Sequence, residues 1–184
     1  MKNEIMFGVF MAGLIAIMLA TTGLSQTTQD TVSNVTINNY FAIAMSDNLT
    51  EGILFGSANP NTNNNNASHN YDGAGDTSMW LVVSSDSNVN VDFCIKDDAN
   101  LTYTSYNIPN TGYTYSGNVS SSGTNLVSGS SIGITTSFIK FGSIDIAPSS
   151  NEFLRAWLDV PSGQNTGTYA NNINFKGIQT GGSC

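Results

Sequence analysis

Short stretches in which every second residue is apolar dominate the sequence after residue 25. The clearest is Val89–Lys96, in which apolar residues alternate with Asn90, Asp92, Cys94 and Lys96. A period of two puts alternate side chains on opposite faces of a strand, so Cys94 is predicted to face solvent and the apolar residues the core. No segment after residue 25 sustains the 3.6-residue apolar period of an amphipathic helix. The sequence therefore predicts an all-β protein.

Similar patterns, separated by turn-forming residues, predict eight or nine short strands. They fall at Val35–Met45, Ile53–Gly56, Met79–Val83, Val89–Lys96, Leu101–Tyr103, Tyr113–Tyr115, Ile132–Ile146 with a break at Gly142, Phe153–Val160 and Tyr169–Phe175. The turn-rich residues 161–167 predict that the last two strands form a hairpin. Asn59–Asp76 combines Asn, Gly and Asp with no apolar period, which predicts a loop that adds nothing to the core. The predicted fold is a single Ig-like or jelly-roll-like antiparallel β-sandwich after an N-terminal hydrophobic helix.

The hydrophobic helix is Ile5–Leu24, which contains no charged residue and follows Lys2 and Glu4. A short apolar run that ends in small residues predicts a signal peptide over residues 1–25, cleaved before Gln26. A retained membrane anchor is the alternative, because about 20 apolar residues can just cross a bilayer. A type IV pilin is a third interpretation, but the basic cluster and glycine expected before its cleavage site are missing. All three place the chain from Gln26 onward outside the cell or at its surface.

The segment between this helix and the first turn is too long for one ordinary strand. Gln26–Met45 would span about 66 Å if fully extended at about 3.3 Å per residue, whereas strands usually have five or six residues. We therefore divide the exported part into an N-terminal extension, residues 26–38, and a sandwich domain, residues 39–184. Val32, Val35 and Ile37 make the extension a candidate donor strand for the edge of a neighbouring sheet. The alternative is an intramolecular strand with a kink at Asn38-Asn39.

Charge excludes some classes of partner. The chain has a net charge of −8, and its four Lys and one Arg make no basic stripe that would neutralise phosphates. Nucleic acid is therefore not a predicted partner. An anionic membrane surface would repel the chain, so membrane contact is predicted only through residues 5–24 if they are not cleaved. A second copy of the same chain is the favoured partner.

The two cysteines, Cys94 and Cys184, are predicted to form a disulfide, because an exported chain lies in a compartment that permits one. Two free thiols or an intermolecular bridge are the alternatives. In the chain-entropy model, closing this loop with a disulfide would raise the free energy of unfolding by roughly 4 kcal/mol.

Catalytic chemistry has little support in the sequence. His69 is the only histidine. Gly129–Gly133 matches the G-x-S-x-G pattern, but a nucleophile elbow needs a following helix and a later histidine, and neither is predicted. A pair of carboxylates in a cleft would be needed for an acid hydrolase, the least favoured class. We predict that the protein is not an enzyme.

Metal binding is limited to calcium. Asp72, Asp76, Asp97 and Asp98 supply hard oxygen ligands in two predicted turns. Neither stretch has EF-hand spacing, so solvated turns are the favoured interpretation, and no other cofactor is predicted. One histidine and two distant cysteines do not make a zinc site.

Five N-x-S/T sequons are candidate glycosylation sites, a number close to that expected by chance in so Asn-rich a chain. They are Asn34, Asn48, Asn66, Asn100 and Asn118, of which Asn66 and Asn118 lie in predicted loops.

Three local patterns suggest a family. They are Phe55–Thr62, Ser87–Lys96 and Pro161–Gly163 with Gly167–Tyr169, together with the terminal Cys184. These pieces resemble secreted archaeal β-sandwich surface proteins. In overall plan the chain is similar to archaeal bundling pilins, threads and cannula subunits, which assemble by donor-strand exchange. The resemblance implies a structural subunit of an extracellular filament, tube or sheath.

The alternative function is a secreted or membrane-anchored binding or adhesion module that recognises a glycan or a cell surface. In that case Asn59–Asp76 and the aromatic residues Trp80, Tyr103, Tyr113 and Tyr115 would form the binding surface. An exposed aromatic shelf and monomeric behaviour would distinguish this class from a filament subunit.

Overall fold

The computed structural model describes residues 31–70, 78–121 and 131–184, and almost all its regular elements there are strands. In chain order they are β1 (Ile43–Met45), helix α1 (Asp47–Thr50), β2 (Thr62–Asn66), β3 (Met79–Val83), β4 (Val91–Asp97), β5 (Leu101–Tyr103), β6 (Tyr106–Ile108), a 3₁₀ turn (Asn110–Gly112), β7 (Tyr113–Asn118), β8 (Ile132–Gly133), β9 (Ile139–Lys140), β10 (Asn151–Val160) and β11 (Ile173–Gln179). The all-β fold class is confirmed. The predicted hydrophobic helix lies outside the described residues.

The larger sheet is built around β10, which is antiparallel to every strand it pairs with. Its order is β1-β3-β10-β7-β8, and β2 also pairs with β10. On one edge β10 pairs with β7, and on the other its first half pairs with β3 and its second half with β2. Leu154, Ala156, Leu158 and Val160 are buried on one face of β10, as their period of two predicts. β10 is central because it is long and has this continuous apolar face.

An asparagine side chain fills the gap between β3 and β2 on β10. The Ala156 N–H donates to Asn70 Oδ1 at 2.8 Å, and Asn70 Nδ2 donates to the Ala156 carbonyl at 2.7 Å. A carboxamide has the same donor and acceptor as a peptide group, so Asn70 replaces one missing ladder residue. The prediction that Asn59–Asp76 adds nothing to the core was therefore wrong, since it contains β2 and the buried residues Ala67 and Asn70.

The smaller sheet has the order β11-β4-β9. β11 pairs with β4 along its whole length, from Ile173 opposite Asp97 to Gln179 opposite Val91. The predicted hairpin of the last two strands was wrong, because β10 and β11 belong to different sheets. The link over residues 161–172 is long enough to cross between the sheets, and the Cys94–Cys184 disulfide then holds the end of the chain beside β4. A separate hairpin is formed by β5 and β6.

The two sheets face each other across an apolar core. Phe141 joins them, with its ring 5.9 Å from Tyr115 in an edge-to-face arrangement, 6.2 Å from Phe93 and 6.0 Å from Phe175. At one rim β11 approaches β1 so closely that a Cβ on Gly177 would lie 3.0 Å from Ile43 Cγ2. Glycine permits this contact where a larger residue would push the sheets apart.

Other predicted strands differ from the observed ones. The predicted Val35–Met45 strand is a strand only over Ile43–Met45. Before it, side chains replace the ladder: the Tyr40 N–H donates to Asn88 Oδ1 at 2.8 Å, and the Ala42 N–H to Ser87 Oγ at 3.1 Å. Such side-chain partners let the chain leave the regular ladder while its amides remain bonded.

Two further corrections concern Ile53–Gly56 and Ile132–Ile146. Ile53–Gly56 is not a strand, although Phe55 packs edge-to-face on Tyr113 at 5.3 Å. The stretch Ile132–Ile146 forms only the two short strands β8 and β9, because the chain passes there from the larger sheet to the smaller one.

The chain divides into two compact units, Met1–Ile37 and Asn38–Cys184. The first is described only over residues 31–37. All buried core residues of the described chain, and the disulfide, belong to the second unit. We therefore expect residues 38–184 to fold without the residues that precede them.

Replacing Asn70 tests its role as a ladder residue. Asn70→Ala leaves the buried Ala156 N–H without its partner, so we expect a loss of about 1–3 kcal/mol in the free energy of unfolding. Asn63→Ala is the matched control, because Asn63 lies in β2 and is exposed; it should change stability by less than about 0.5 kcal/mol. Urea denaturation of both variants measures this, and equal stabilities would contradict the assignment.

Candidate functional site

The residues of the candidate donor strand are solvent-facing. Val32 and Val35 each expose 85% of their surface and Ile37 exposes 78%. In the described part of the chain no strand begins before Ile43. In an extended segment Val35 and Ile37 lie on one face, and two branched apolar side chains this exposed form a surface that water solvates poorly, which is typical of a contact surface.

The disulfide lies on the outer face of the smaller sheet. Cys94 and Cys184 are bonded, with their Cα atoms 6.0 Å apart, and no cysteine is free. Cys94 points away from the core, as predicted, but it is fully buried because the chain end that carries Cys184 covers it. Lys176 Nζ also donates to the Cys184 carbonyl at 2.9 Å. The C-terminal segment is thus fixed across the outside of the sheet.

All three lysines in the described part of the chain lie on this same face. Lys140 and Lys176 flank Cys94 in register on β9 and β11, and Lys96 is two residues along β4. The Lys96 and Lys176 ammonium groups lie 4.9 and 5.2 Å from the centre of the Phe138 ring, within cation–π range. The face is therefore locally basic in a chain whose net charge is −8.

Asp92 connects four segments on this face. Its side chain is almost fully buried. Oδ2 accepts from Lys140 Nζ at 2.7 Å and the Gly181 N–H at 3.2 Å, while Oδ1 accepts from the Asp145 N–H at 2.8 Å and Thr180 Oγ1 at 3.4 Å. Burial alone would raise the pKa of Asp92, but these hydrogen bonds and the Lys140 charge outweigh it and hold the pKa below its usual value. The group is structural, because its acceptor sites are already occupied.

Glu152 is the second buried acid and sits at the start of β10. It fits because Gly117 and Gly142 have no side chains: a Cβ on either would collide with its carboxylate. Oε1 accepts from the Ser143 N–H at 3.0 Å, but Oε2 has no partner in the described residues. Burial raises the pKa of Glu152 to about 7, and hydrogen bonding to Ser143 opposes only part of this shift.

Three more polar side chains are enclosed in the core. Asp97 is fully buried, and both its carboxylate oxygens lack a hydrogen-bond partner in the described residues, as do the Tyr113 and Tyr115 hydroxyls. Burial raises the pKa of Tyr115 to about 12, and burial together with the Asp97 charge raises the pKa of Tyr113 further. These groups are closed off from solvent, so they cannot meet a dissolved substrate.

The calcium candidates are not brought together where they are described. The Asp97 carboxylate points into the core, whereas Asp98 is exposed and accepts from the Asn172 N–H at 2.9 Å and from Asn172 Nδ2 at 2.6 Å. Those two bonds hold the pKa of Asp98 below its usual value. Asp72 and Asp76 lie outside the described residues. Within residues 31–70, 78–121 and 131–184, no three His, Cys, Asp or Glu side chains are grouped as a metal site would require.

The residues considered for catalysis do not converge. His69 Nε2 lies 3.3 Å from Glu51 Oε2, and the Glu51 side chain is mostly exposed. In the Gly129–Gly133 motif only residues 131–133 are described, and Ile132–Gly133 is a strand rather than the start of a helix. The described part of the motif therefore does not lead into the helix that a nucleophile elbow requires.

The aromatic residues proposed for a binding shelf do not share a surface. Tyr113 and Tyr115 are buried in the core. Trp80 packs against Phe153 at 5.9 Å, and Tyr103 packs against Tyr169 at 5.7 Å in a different part of the fold. A glycan-binding surface built from all four residues is therefore not present.

The five sequons differ in accessibility. Asn34 and Asn66 are exposed, whereas Asn48, Asn100 and Asn118 are half-buried. Asn48 Nδ2, the atom that would carry a glycan, donates to the Ser78 carbonyl at 3.0 Å. Asn34 and Asn66 are thus the most accessible sequons in the described chain.

Comparison with known proteins gives no relative: no protein-family model, curated protein or solved structure matches this chain. No helix in the described ranges has the length and apolar character to cross a bilayer.

Reduction tests the contribution of the disulfide. The bridge joins residues 90 positions apart. Opening so large a loop is expected to lower the free energy of unfolding by about 4 kcal/mol. We expect a reductant to lower the urea midpoint of the wild-type protein and to leave a Cys94→Ser/Cys184→Ser variant unchanged. A wild-type midpoint that is insensitive to reductant would contradict the assignment.

Glu152 is expected to make stability depend on pH. Its pKa is raised from 4.5 to about 7 in the folded state. Its contribution to the free energy of unfolding is therefore complete below pH 4.5 and is lost as the pH rises to 7, and the loss is up to about 3 kcal/mol. Glu152→Gln cannot ionise, so the difference in unfolding free energy between pH 5 and pH 8 should shrink. The control Asp86→Asn neutralises an exposed carboxylate and should keep the wild-type difference. Identical pH profiles for wild type and Glu152→Gln would rule out this role.

Proposed function

We propose that this protein is a non-catalytic structural subunit of an extracellular filament, tube or sheath, in which the N-terminal strand of one copy adds to a sheet of the next. The observation that carries the proposal is the exposure of Val32, Val35 and Ile37 in a segment that forms no strand in the described chain. The similarity in plan to archaeal filament subunits points the same way.

Strand addition has a favourable energy in such a system. An extended segment gains main-chain hydrogen bonds at an open sheet edge, and each buried apolar side chain adds about 25 cal/mol per Å² removed from water. A contact in which the donor and acceptor surfaces differ is head-to-tail and does not close on itself unless the rotation forms a ring. Repetition of one such contact therefore produces a long polymer from one kind of chain.

The rest of the domain supports a structural role outside the cell. The Cys94–Cys184 disulfide requires a compartment that does not reduce it, and it fixes the C-terminal segment to the smaller sheet. Two of the buried acids, Asp92 and Glu152, are enclosed by the fold and bonded within it, and the third, Asp97, is fully enclosed in the core. These features suit a durable building block better than a catalyst.

Removal of the extension tests the proposal. We expect residues 26–184 to elute in high-mass fractions on size exclusion and to show filaments or tubes by negative-stain microscopy. Residues 38–184, which contain the whole described core, should be a folded monomer. Discrete monomers in both samples would remove the proposal.

A pair of double variants tests whether the apolar side chains, and not only the length of the segment, drive assembly. Val35→Ser/Ile37→Ser removes the apolar side chains and should reduce assembly. Thr31→Ser/Thr36→Ser changes the same number of positions in the same segment, keeps the Asn34 sequon and should assemble like wild type. Equal assembly by both double variants would show that the apolar side chains are not what joins the subunits.

A further inference from the structure

One edge of β11 carries backbone groups without partners. The Thr180 N–H donates to the Asn90 carbonyl at 3.1 Å, and the Asp98 N–H to the Asn172 carbonyl at 3.1 Å. In an antiparallel ladder, residues alternate between bonding the neighbouring strand and pointing away from it. With the continuous register to β4, the N–H and C=O groups of Ile173, Phe175 and Gly177 therefore point away from β4. No hydrogen bond joins them to another described residue.

The other open edges in the described chain are shorter or irregular. β1 has three residues, and β8 and β9 have two each. β2 has five, but its pairing with β10 shifts register and Asn64 has a left-handed φ of 54°. The seven-residue β11 is thus the longest regular edge available among the described strands. Unprotected edges of this kind are templates for another strand.

The rim beside this edge is incompletely covered apolar surface. Ile173 and Phe175 of β11 and Phe41 and Ile43 of the facing layer pack against the core but are only partly buried. Gly177 lies between the two layers, where a Cβ would be 3.2 Å from the Phe41 ring. A strand added to β11 would place every second side chain over this rim, and apolar side chains there would complete its burial.

From this geometry we infer that the free edge of β11 is the acceptor site, and that its occupant is the segment of residues 31–37 from a second copy of the chain. This inference rests on the proposed function and names the surface that the donor strand meets. The occupant is as long as β11, carries no charged residue, and places Val35 and Ile37 two residues apart on one face. Its own backbone forms no strand in the described chain.

Proline substitutions at two edges test the assignment. Ile173→Pro removes an N–H that points away from β4, so it blocks strand addition without removing a hydrogen bond of the fold. Met45→Pro is the matched control, since Met45 lies on the outer edge of β1 and also points its N–H away from its only partner strand. Ile173→Lys is a second variant that keeps the backbone and puts a charge beside the edge. Thermal unfolding by circular dichroism checks that each variant is folded.

The direct measurement is fluorescence anisotropy of a labelled peptide of residues 31–37 titrated with residues 38–184. We expect Ile173→Pro to weaken binding by about tenfold or more and Ile173→Lys to weaken it as well, with Met45→Pro close to wild type. In the full chain, the two Ile173 variants should then assemble poorly and Met45→Pro should assemble normally.

The outcomes separate the two proposals. If only Met45→Pro loses binding, or if the wild-type chain and all three variants assemble equally, the β11 assignment is overturned while strand exchange stands. A peptide that binds at β11 in a chain that remains monomeric would mean that the segment occupies its own edge, which overturns the second copy as occupant. If the wild-type protein shows no peptide binding and no assembly, the proposed function itself is overturned.

Discussion

The antiparallel ladder between β4 and β11 is the interaction on which the rest of the structure depends. It is continuous over seven residue pairs and brings Phe175 over the core, where its ring lies 6.0 Å from Phe141. Without β11 the larger sheet would lose much of its cover on the β1 side. The Cys94–Cys184 bond and the Lys176 contact with the Cys184 carbonyl hold the chain after β11 on the same sheet. The final segment thereby closes a sandwich that began with β1.

Three of the buried polar side chains are accommodated in different ways. Asn70 bonds the backbone on both sides of its amide, so it behaves as part of β10's ladder. Asp92 is matched by a lysine and two backbone N–H groups, which keeps it charged. Glu152 has one backbone donor for two oxygens and is enclosed beside Gly142, so its neutral form is favoured. All three serve the fold.

The described chain has two exposed features that globular proteins usually avoid. One is an apolar segment containing Val35 and Ile37, and the other is the unpaired edge of β11. Each alone would favour nonspecific association. In the proposed contact the apolar segment of one copy covers the unpaired β11 edge of the next, so both exposed features are buried in one specific interaction. The lysine-bearing outer face of the smaller sheet stays exposed to solvent.

The sequence by itself determined the fold class and the inward face of β4 and β10, because period-two alternation is a local property of the chain. It also determined the disulfide pair, because the chain has only two cysteines. The same alternation places Asp97 with Phe93 and Ile95, and Glu152 with Leu154, so it also contained the signal for these two of the three buried acids. Only the tertiary structure decided which strands pair. A strand pattern does not specify its neighbour, so the β10–β11 hairpin was predicted where β11 in fact joins β4. Nor could composition reveal that Asn70 completes a ladder or that Asp92 meets Lys140, since both contacts join residues far apart in the chain and exist only after the sheets have formed.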